Sequence, residues 1–367
     1  MQKAVVILPC SKVFIPMSVD FTLTKNSIAA VIPCYRVGEI VFDVIARMGP
    51  EVTHILVVDD CCPDATADKI AARVADPRLT IIRHEQNKGV GGAVVSGYRK
   101  ALELGAEIVV KVDGDGQMPP ELIPHLVRPI LAGAADYTKG NRFHSLFDVK
   151  AMPGSRLLGN GILSFVTKIS SGYWSLFDPT NGFTAIHREA LGRLELNNVS
   201  ERYFFETDML INLGNIRAVV RDVPMRALYG DEVSGLKISK TAWSFLTGHT
   251  REFLKRLLYN YFMRDFSFAS LQLLFGLLLT GFGLGFGGLE WWLHASRDTA
   301  ATTGTVMLAV LPIILGFQLL LSFLSYDIAN EPKQCLQDLF QLNARSRFAQ
   351  PVEHDGAAEL RRSKAKT

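Results

Sequence analysis

Two stretches of this 367-residue chain contain no Lys, Arg, Asp or Glu: 24 residues at 266–289 and 22 at 305–326. At 1.5 Å rise per residue, a helix of either length crosses a hydrocarbon core of roughly 30 Å. A pair of buried core helices is the alternative, but few soluble helices lack charge over such a length. Gly276, Gly281, Gly283, Gly285, Gly287 and Gly288 put small residues through the first stretch, including a GxxxG at 281–285. That pattern suits close helix contact in lipid, within the hairpin or between copies of the chain. Trp291 and Trp292 fall where an interfacial aromatic belt is expected. Segment 236–264 carries six Lys or Arg, the connecting loop 290–304 carries Arg297 alone, and the tail from 328 carries seven. The positive-inside rule then puts both ends of the chain in the cytoplasm, with a multi-pass hairpin in the cell (inner) membrane.

Ahead of these spans the pattern changes. Short β-rich apolar runs at 28–33, 54–59, 79–83 and 107–113 alternate with Ala-rich segments long enough for helices, such as 64–75 and 89–104. Strand, helix, strand at this spacing predicts right-handed crossovers and a Rossmann-like, mostly parallel α/β sheet. Ligands of such sheets bind beyond the C-terminal strand ends. Here those ends read Pro33-Cys34-Tyr35, Asp59-Asp60 and Asp113-Gly114-Asp115, an acidic edge. Five domains or segments follow: an extension of unknown role at 1–27, the α/β domain at 28–235, a basic amphipathic juxtamembrane segment at 236–264, the hairpin at 265–327 and a tail at 328–367.

Thirty-nine basic and 36 acidic side chains leave a net charge of only +3, which argues against a dedicated nucleic-acid binder. The excess is local. Segment 236–264 opposes six basic residues with Glu252 alone, forming a collar where anionic lipid headgroups would be met. Five cysteines, Cys10, Cys34, Cys61, Cys62 and Cys335, fit neither a disulfide framework nor CxxC zinc spacing, and a reducing compartment is the simpler setting.

The motifs allow more than one reading each. In DGDGQ at 113–117, residues i and i+2 of an extended segment face the same way, so Asp113 and Asp115 can converge beside the Gln117 amide on Mg²⁺ or Mn²⁺ carrying a diphosphate. A polar glycine turn fits the same residues. In VVDDCCPDAT at 57–66, Asp59 or Asp60 can accept from a ribose or base, or can cap a helix; Asp64 reads as an N-cap. NKGVGGAVVSG at 87–97 fails both the GxGxxG and the P-loop spacing, so its glycines are expected to permit a tight turn and close helix packing. Arg142, after a probable strand, and Arg156, opening an amphipathic run, have the fork that grips phosphate, although a single Arg is more often a solvated group. DPTNGF follows at 178–183. Glu206 and Asp208 stand at a helix start, where carboxylates also oppose the dipole.

Taken in order, VIPCYRVGE, VVDDCCPDAT, NKGVGGAVVSGYRKALELGA, DGDGQMPPE, GNRF, DPTNGF and YGDEVSGLKI resemble the family 2 glycosyltransferases of GT-A fold over about 28–235. The likeness is to the polyprenyl-phosphate glycosyltransferases, the group that includes dolichol-phosphate mannose synthase. The resemblance implies transfer of a sugar from a UDP- or GDP-linked donor to a polyprenyl phosphate such as undecaprenyl phosphate, with inversion, for cell-envelope glycan assembly. It implies that Pro33, Tyr35, Glu39, Asp60 and Asp113 line the nucleotide-sugar pocket. Asp113, Asp115 and Gln117 would hold Mg²⁺ or Mn²⁺, and Arg142 and Arg156 the acceptor phosphate, with Asp115, Arg142 and Arg156 carrying catalysis. A hydroxyl acceptor would instead need a base, for which Asp208 is the candidate; an inactive membrane scaffold is the non-enzymatic alternative. Two departures stand out. Cys61-Cys62 replaces the usual Gly-Ser, and Leu228 precedes Tyr229-Gly230 where relatives often have Arg, so a third phosphate contact is either missing or supplied by Arg226 or Lys237.

Overall fold

The computed structural model describes residues 27–144, 154–202, 204–225 and 238–339, without the side chains of 155–156 and 238–244. The readings placed on residues 1–26, on Arg226, Leu228, Tyr229, Gly230 and Lys237, on the Arg156 side chain and on the tail beyond 339 lie outside the described residues.

Strands β1 (Ile28–Cys34), β2 (Val52–Asp59), β3 (Leu79–Arg83), β4 (Ile108–Lys111), β5 (Tyr137–Asn141), β6 (Thr184–His187) and β7 (Val220–Pro224) form one sheet in the order β3-β2-β1-β4-β6-β5-β7. Only β6 runs against its neighbours; every other pairing is parallel. Helices α1 (Ile40–Ala46), α2 (Thr66–Arg73), α3 (Gly89–Glu103), α4 (Ile123–Leu131), α5 (Gly154–Ser171), α6 (Arg188–Leu191) and α7 (Phe205–Asn215) make the connections. Both faces of the sheet are covered, which is why its central strands read as unbroken apolar runs. Ala29, Val31, Leu56 and Val58 pack with α3 and α7, while Ile28, Ala30, Ile32, Ile55 and Val57 pack with α1 and α4. α3 lies close on β1: a Cβ on Gly97 would stand 2.3 Å from a Val31 methyl. Gly89, at φ +86°, makes the turn into that helix. Both are the roles expected of this glycine run.

Pro33 has no N–H to give the ladder. It is tolerated in a central strand because the β1–β4 pairing stops at Val31 and Lys111, leaving Pro33 paired only with Val58 of β2.

After the sheet come α8 (Ile238–Leu258), a π-helical turn (Tyr259–Met263), α9 (Phe268–Ser296) and α10 (Thr303–Ala329). α9 and α10 are long and apolar enough to cross a membrane, and only 28% and 17% of their most apolar windows are buried. They pair as a hairpin through glycines, but not through the GxxxG at 281–285. A Cβ on Gly276 would meet Leu320 at 2.9 Å, one on Gly283 would meet Ile313 at 2.6 Å, and one on Gly316 the Thr280 N–H at 2.7 Å. Gly281 and Gly285 face open space. Residues 276 and 283, seven apart, share the face turned to α10 with Gly287, where a Cβ would meet Ala309 at 3.0 Å, so the pairing uses the overlapping GxxxG at 283–287 and the one at 281–285 falls on another face.

Candidate active site

Each carboxylate of the Asp59-Asp60 pair at the end of β2 holds a helix start. Asp59 accepts from the N–H groups of Cys62 (2.8 Å) and Ala67 (3.3 Å), so it closes the first turn of α2. Asp64 does not cap that helix: Ala65 occupies the cap position in a left-handed conformation, and the Asp64 carboxylate accepts from the Thr66 hydroxyl at 2.8 Å and the Cys62 thiol at 2.6 Å. Those bonds hold its carboxyl below the usual range. Asp60 is buried and accepts from the N–H groups of Lys88 (2.9 Å) and Gly89 (2.7 Å) at the start of α3, and it pairs with His84 Nδ1 at 2.7 Å. Cys61 keeps a left-handed φ of 59°, a conformation that costs an ordinary side chain about 1–2 kcal/mol. The Arg36 N–H reaches the Cys62 sulfur at 2.9 Å, tying the β1 loop to the β2 loop. Within the β1 loop Tyr35 is exposed beside the Arg36 guanidinium, and exposed Glu39 pairs with Arg73 at 2.6 Å.

The DGDGQ segment departs from its expected geometry. β4 stops at Lys111, so strand alternation does not align Asp113 with Asp115. A turn follows instead, with Gly116 at φ +75° and the Gln117 N–H donating to Asp115 Oδ1 at 3.0 Å. Asp113 is held from beneath. The fully buried Lys111 ammonium lies 2.6 Å from Asp113 Oδ1 and 3.3 Å from Glu206 Oε1 of α7, and donates to the Gly182 carbonyl at 3.3 Å. Burial alone would lower the lysine's pKa, but Asp113 and Glu206 outweigh it and raise it.

The loop 178–183 is fastened by a second buried lysine. Lys139 of β5 donates to the Asn181 carbonyl, and Asn181 Nδ2 donates to the Gly140 carbonyl at 2.7 Å. Burial brings Lys139 down to about 8. At the loop's start the buried Asp178 carboxylate takes Arg142 bidentately, Nε at 2.8 Å and Nη2 at 2.9 Å, which fixes the plane of the guanidinium. At its far end a Cβ on Gly182 would lie 2.4 Å from Lys111 Nζ and 2.6 Å from Asp113 Oδ2. Gly182→Ala is therefore expected to push Asp113 out of place. It should cost about 1–3 kcal/mol of stability by overpacking, read as a lowered melting temperature, whereas Gly159→Ala, at a position open to solvent, should not.

Asp208 is turned away from this cluster. Its carboxylate accepts from the Ser200 N–H at 2.7 Å and Asn212 Nδ2 at 3.1 Å, burial raises its pKa, and it lines a cleft of about 820 Å³ between α7 and α8 with Arg251, Glu252 and Lys255. Glu206, two residues earlier, is the carboxylate beside Lys111.

Asp222 of β7 completes the support. Its Oδ2 accepts from Asn141 Nδ2 (2.8 Å) and the Phe177 N–H (3.1 Å), while its Oδ1 is buried without a partner. Burial lifts this carboxyl to about 6. The folded state therefore holds the Asp222 proton where an unfolded chain, at about 3.9, has lost it. Stability from this group is complete below about pH 4 and is lost as pH rises through about 6. Asp222→Asn is expected to flatten that segment of the pH–melting curve in detergent; an unchanged slope would show that another group sets it.

The acidic turn offers only oxygen donors. Among the described residues no group of three or more His, Cys, Asp or Glu could hold a metal ion by itself. Two carboxylates and an amide fit a hard divalent cation that keeps other ligands from a phosphate or water, as Mg²⁺ commonly does. Lys111, Lys139 and Asp222 were not singled out from the sequence, and Asp178 and Asn181 entered it only as part of DPTNGF. The local signal of the two lysines is a lysine inside a strand, in EIVVKVD and again in YTKGN.

A mostly parallel sheet with an acidic turn beyond its central strand is an architecture of enzymes that handle phosphorylated ligands at strand ends. The profile described as Glycosyl transferase family 2 matches residues 29–194. The UDP-N-acetylglucosamine–dolichyl-phosphate N-acetylglucosaminyltransferase of Methanococcus voltae is 31% identical over 222 residues, 56% of this chain and 88% of that protein. The polyprenol monophosphomannose synthase of Mycolicibacterium smegmatis is 32% identical over 220 residues, 57% of this chain and 81% of that one. The undecaprenyl-phosphate mannosyltransferase of Micrococcus luteus is 30% identical over 202 residues, 54% and 82%. The chain belongs to glycosyltransferase family 2, and it is a glycosyltransferase of GT-A type.

Proposed function

We propose that this enzyme transfers a sugar from a UDP- or GDP-linked donor to a membrane polyprenyl phosphate, with inversion at the anomeric carbon and with a divalent cation. The observation that carries the reading is that the three relatives above, from different organisms, all have a dolichyl, polyprenol or undecaprenyl acceptor in their names. The two apolar helices agree with a lipid acceptor, since they would hold the domain on the surface where that lipid is concentrated.

The chemistry makes modest demands on the protein. A phosphate monoester has a second pKa near 6, so the acceptor is already largely anionic at neutral pH and attacks without a general base. A cation bound at Asp113, Asp115 and Gln117 would supply charge stabilisation to the departing diphosphate. The chain's own part is positioning. Pro33, Tyr35, Glu39, Asp60 and Asp113 are assigned to the nucleotide-sugar pocket, and the buried Asp60 carboxylate also holds the start of α3. Lys111 and Glu206 hold Asp113, and Asp178 holds Arg142, which with Arg156 is assigned the acceptor phosphate. Fixed geometry of this kind supplies much of a transfer barrier.

The test is a radiolabelled transfer assay with membranes, undecaprenyl phosphate and a panel of UDP- and GDP-sugars, followed by NMR of the product linkage. One donor is expected to label a mild-acid-labile lipid with inverted configuration. If no donor does so, the polyprenyl-phosphate reading is dropped.

A further inference from the structure

The sheet domain and the hairpin meet at one buried carboxylate. Asp327, near the end of α10, and Arg256 of α8 are each 5% exposed. Arg256 Nη1 donates to Asp327 Oδ1 at 2.8 Å and Nη2 to Oδ2 at 3.0 Å. The Tyr261 hydroxyl of the π-helical turn donates to Oδ1, and Trp174 Nε1 to Oδ2 at 3.0 Å. Four donors thus meet the four lone-pair sites of one carboxylate. Arg256 Nη2 also donates to the Ile169 carbonyl of α5 at 2.8 Å. Gly172 makes room for the group, since a Cβ there would lie 2.5 Å from Nη1.

A buried ion pair is a poor source of net stability, because desolvation cancels much of its attraction, but it fixes geometry. What this one fixes is α5. The helix has 18 residues, about 27 Å at 1.5 Å each. Its last turns are fastened to the pair, its first turn carries Arg156, and Leu158, Ile162 and Phe165 are exposed along one side. The chain beyond α10 is fastened too: the Leu336 N–H donates to the buried Asp136 carboxylate at 2.9 Å, and Gln337 Nε2 to the Ile130 carbonyl at 3.0 Å. The hairpin is therefore docked on the catalytic domain at both its entry and its exit.

We infer that Arg256 and Asp327 are positioning residues that hold α5, and with it the Arg156 end, at a set height relative to the hairpin, so that a phosphate on a bilayer-embedded lipid is met in register. The pair governs use of the lipid acceptor and leaves donor binding alone. This rests on the polyprenyl-phosphate reading above.

The full-length enzyme in nanodiscs tests it through Asp327→Asn and the swap Arg256→Asp/Asp327→Arg. Asp327→Asn is expected to raise KM for undecaprenyl phosphate by about tenfold or more, the scale of a small misplacement. Affinity for the nucleotide sugar, and the rate with a short water-soluble isoprenyl phosphate, should stay within about twofold. Hydrogen exchange should quicken in peptides covering 165–174 and 254–263 and stay unchanged over 108–117, and the swap should restore part of the lipid KM. Equal losses with both acceptors, or an unchanged lipid KM, overturn the inference. If the unmodified enzyme uses neither phosphate, the functional reading fails instead, and exchange still decides whether the pair docks the domain: unchanged exchange in Asp327→Asn overturns that as well.

Discussion

Asp115→Ala is expected to lower sugar transfer by about 10²–10³-fold, the loss typical of removing one group that stabilises developing charge. The turn that carries Asp115 is kept by Gly116 at φ +75° and by the β4 strand before it, so the fold should survive. The Gln117 N–H that Asp115 accepts from is half-exposed and can turn to water. Melting temperature should hardly move, and Mn²⁺ binding in the presence of nucleoside diphosphate, followed by electron paramagnetic resonance, should weaken with the rate. Asp208→Ala makes the contrast. It strands the Ser200 N–H and should cost about 1–3 kcal/mol of stability. It should nevertheless keep a substantial rate, because an anionic acceptor needs no base. A dead Asp208→Ala enzyme with normal donor binding and an intact fold would sink the phosphate-acceptor reading in favour of a hydroxyl acceptor.

How much of this could be read from the sequence depended on whether a residue's partner was near it in the chain. The strands and their acidic ends were legible because burial on both faces writes itself as unbroken apolar runs. The two long apolar helices were legible because length without charge is itself the signal, although α9 and α10 run past the uncharged stretches to Ser296 and Ala329. Helix α9 continues through Glu290, Trp291 and Trp292, and a count that stops at the first charged residue excludes them. Asp59 and Asp60 could each be read as cap or ligand, and local sequence does not decide between a helix N–H and a nucleotide hydroxyl. Lys111 was missed for another reason. Its partners are a turn next to it, a glycine carbonyl 71 residues on and Glu206 on a helix, and only the sheet brings them together. Arg256 and Asp327, also 71 residues apart, were invisible for the same reason. Arg256 was counted in the basic collar, yet it is buried.

Lys111→Met is expected to be the most destabilising of the single changes in the catalytic domain. The substitution fills a similar volume but removes the only ammonium within 4 Å of Asp113 and Glu206 among the described residues, leaving two carboxylates at the floor of the site. Breaking a buried pair from one side costs about 3–5 kcal/mol, which for a domain of this size is a fall in melting temperature of about 10 °C. Glu206→Gln should cost less, because Lys111 keeps Asp113. If the three groups act as one unit, Lys111→Met with Glu206→Gln should be milder than the sum of the single changes by about 1–2 kcal/mol, since the uncompensated charge on α7 has gone. Strict additivity would mean that Lys111 and Glu206 do not interact. A second measurement separates the ion pair from simple packing. With its ammonium gone, Asp113 Oδ1 has no resident cation, so Mn²⁺ should bind the Lys111→Met enzyme more tightly without nucleotide than it binds the unmodified one. Weaker Mn²⁺ binding would mean instead that Lys111 holds Asp113 in the orientation the metal needs, and that this orientation outweighs the charge it neutralises.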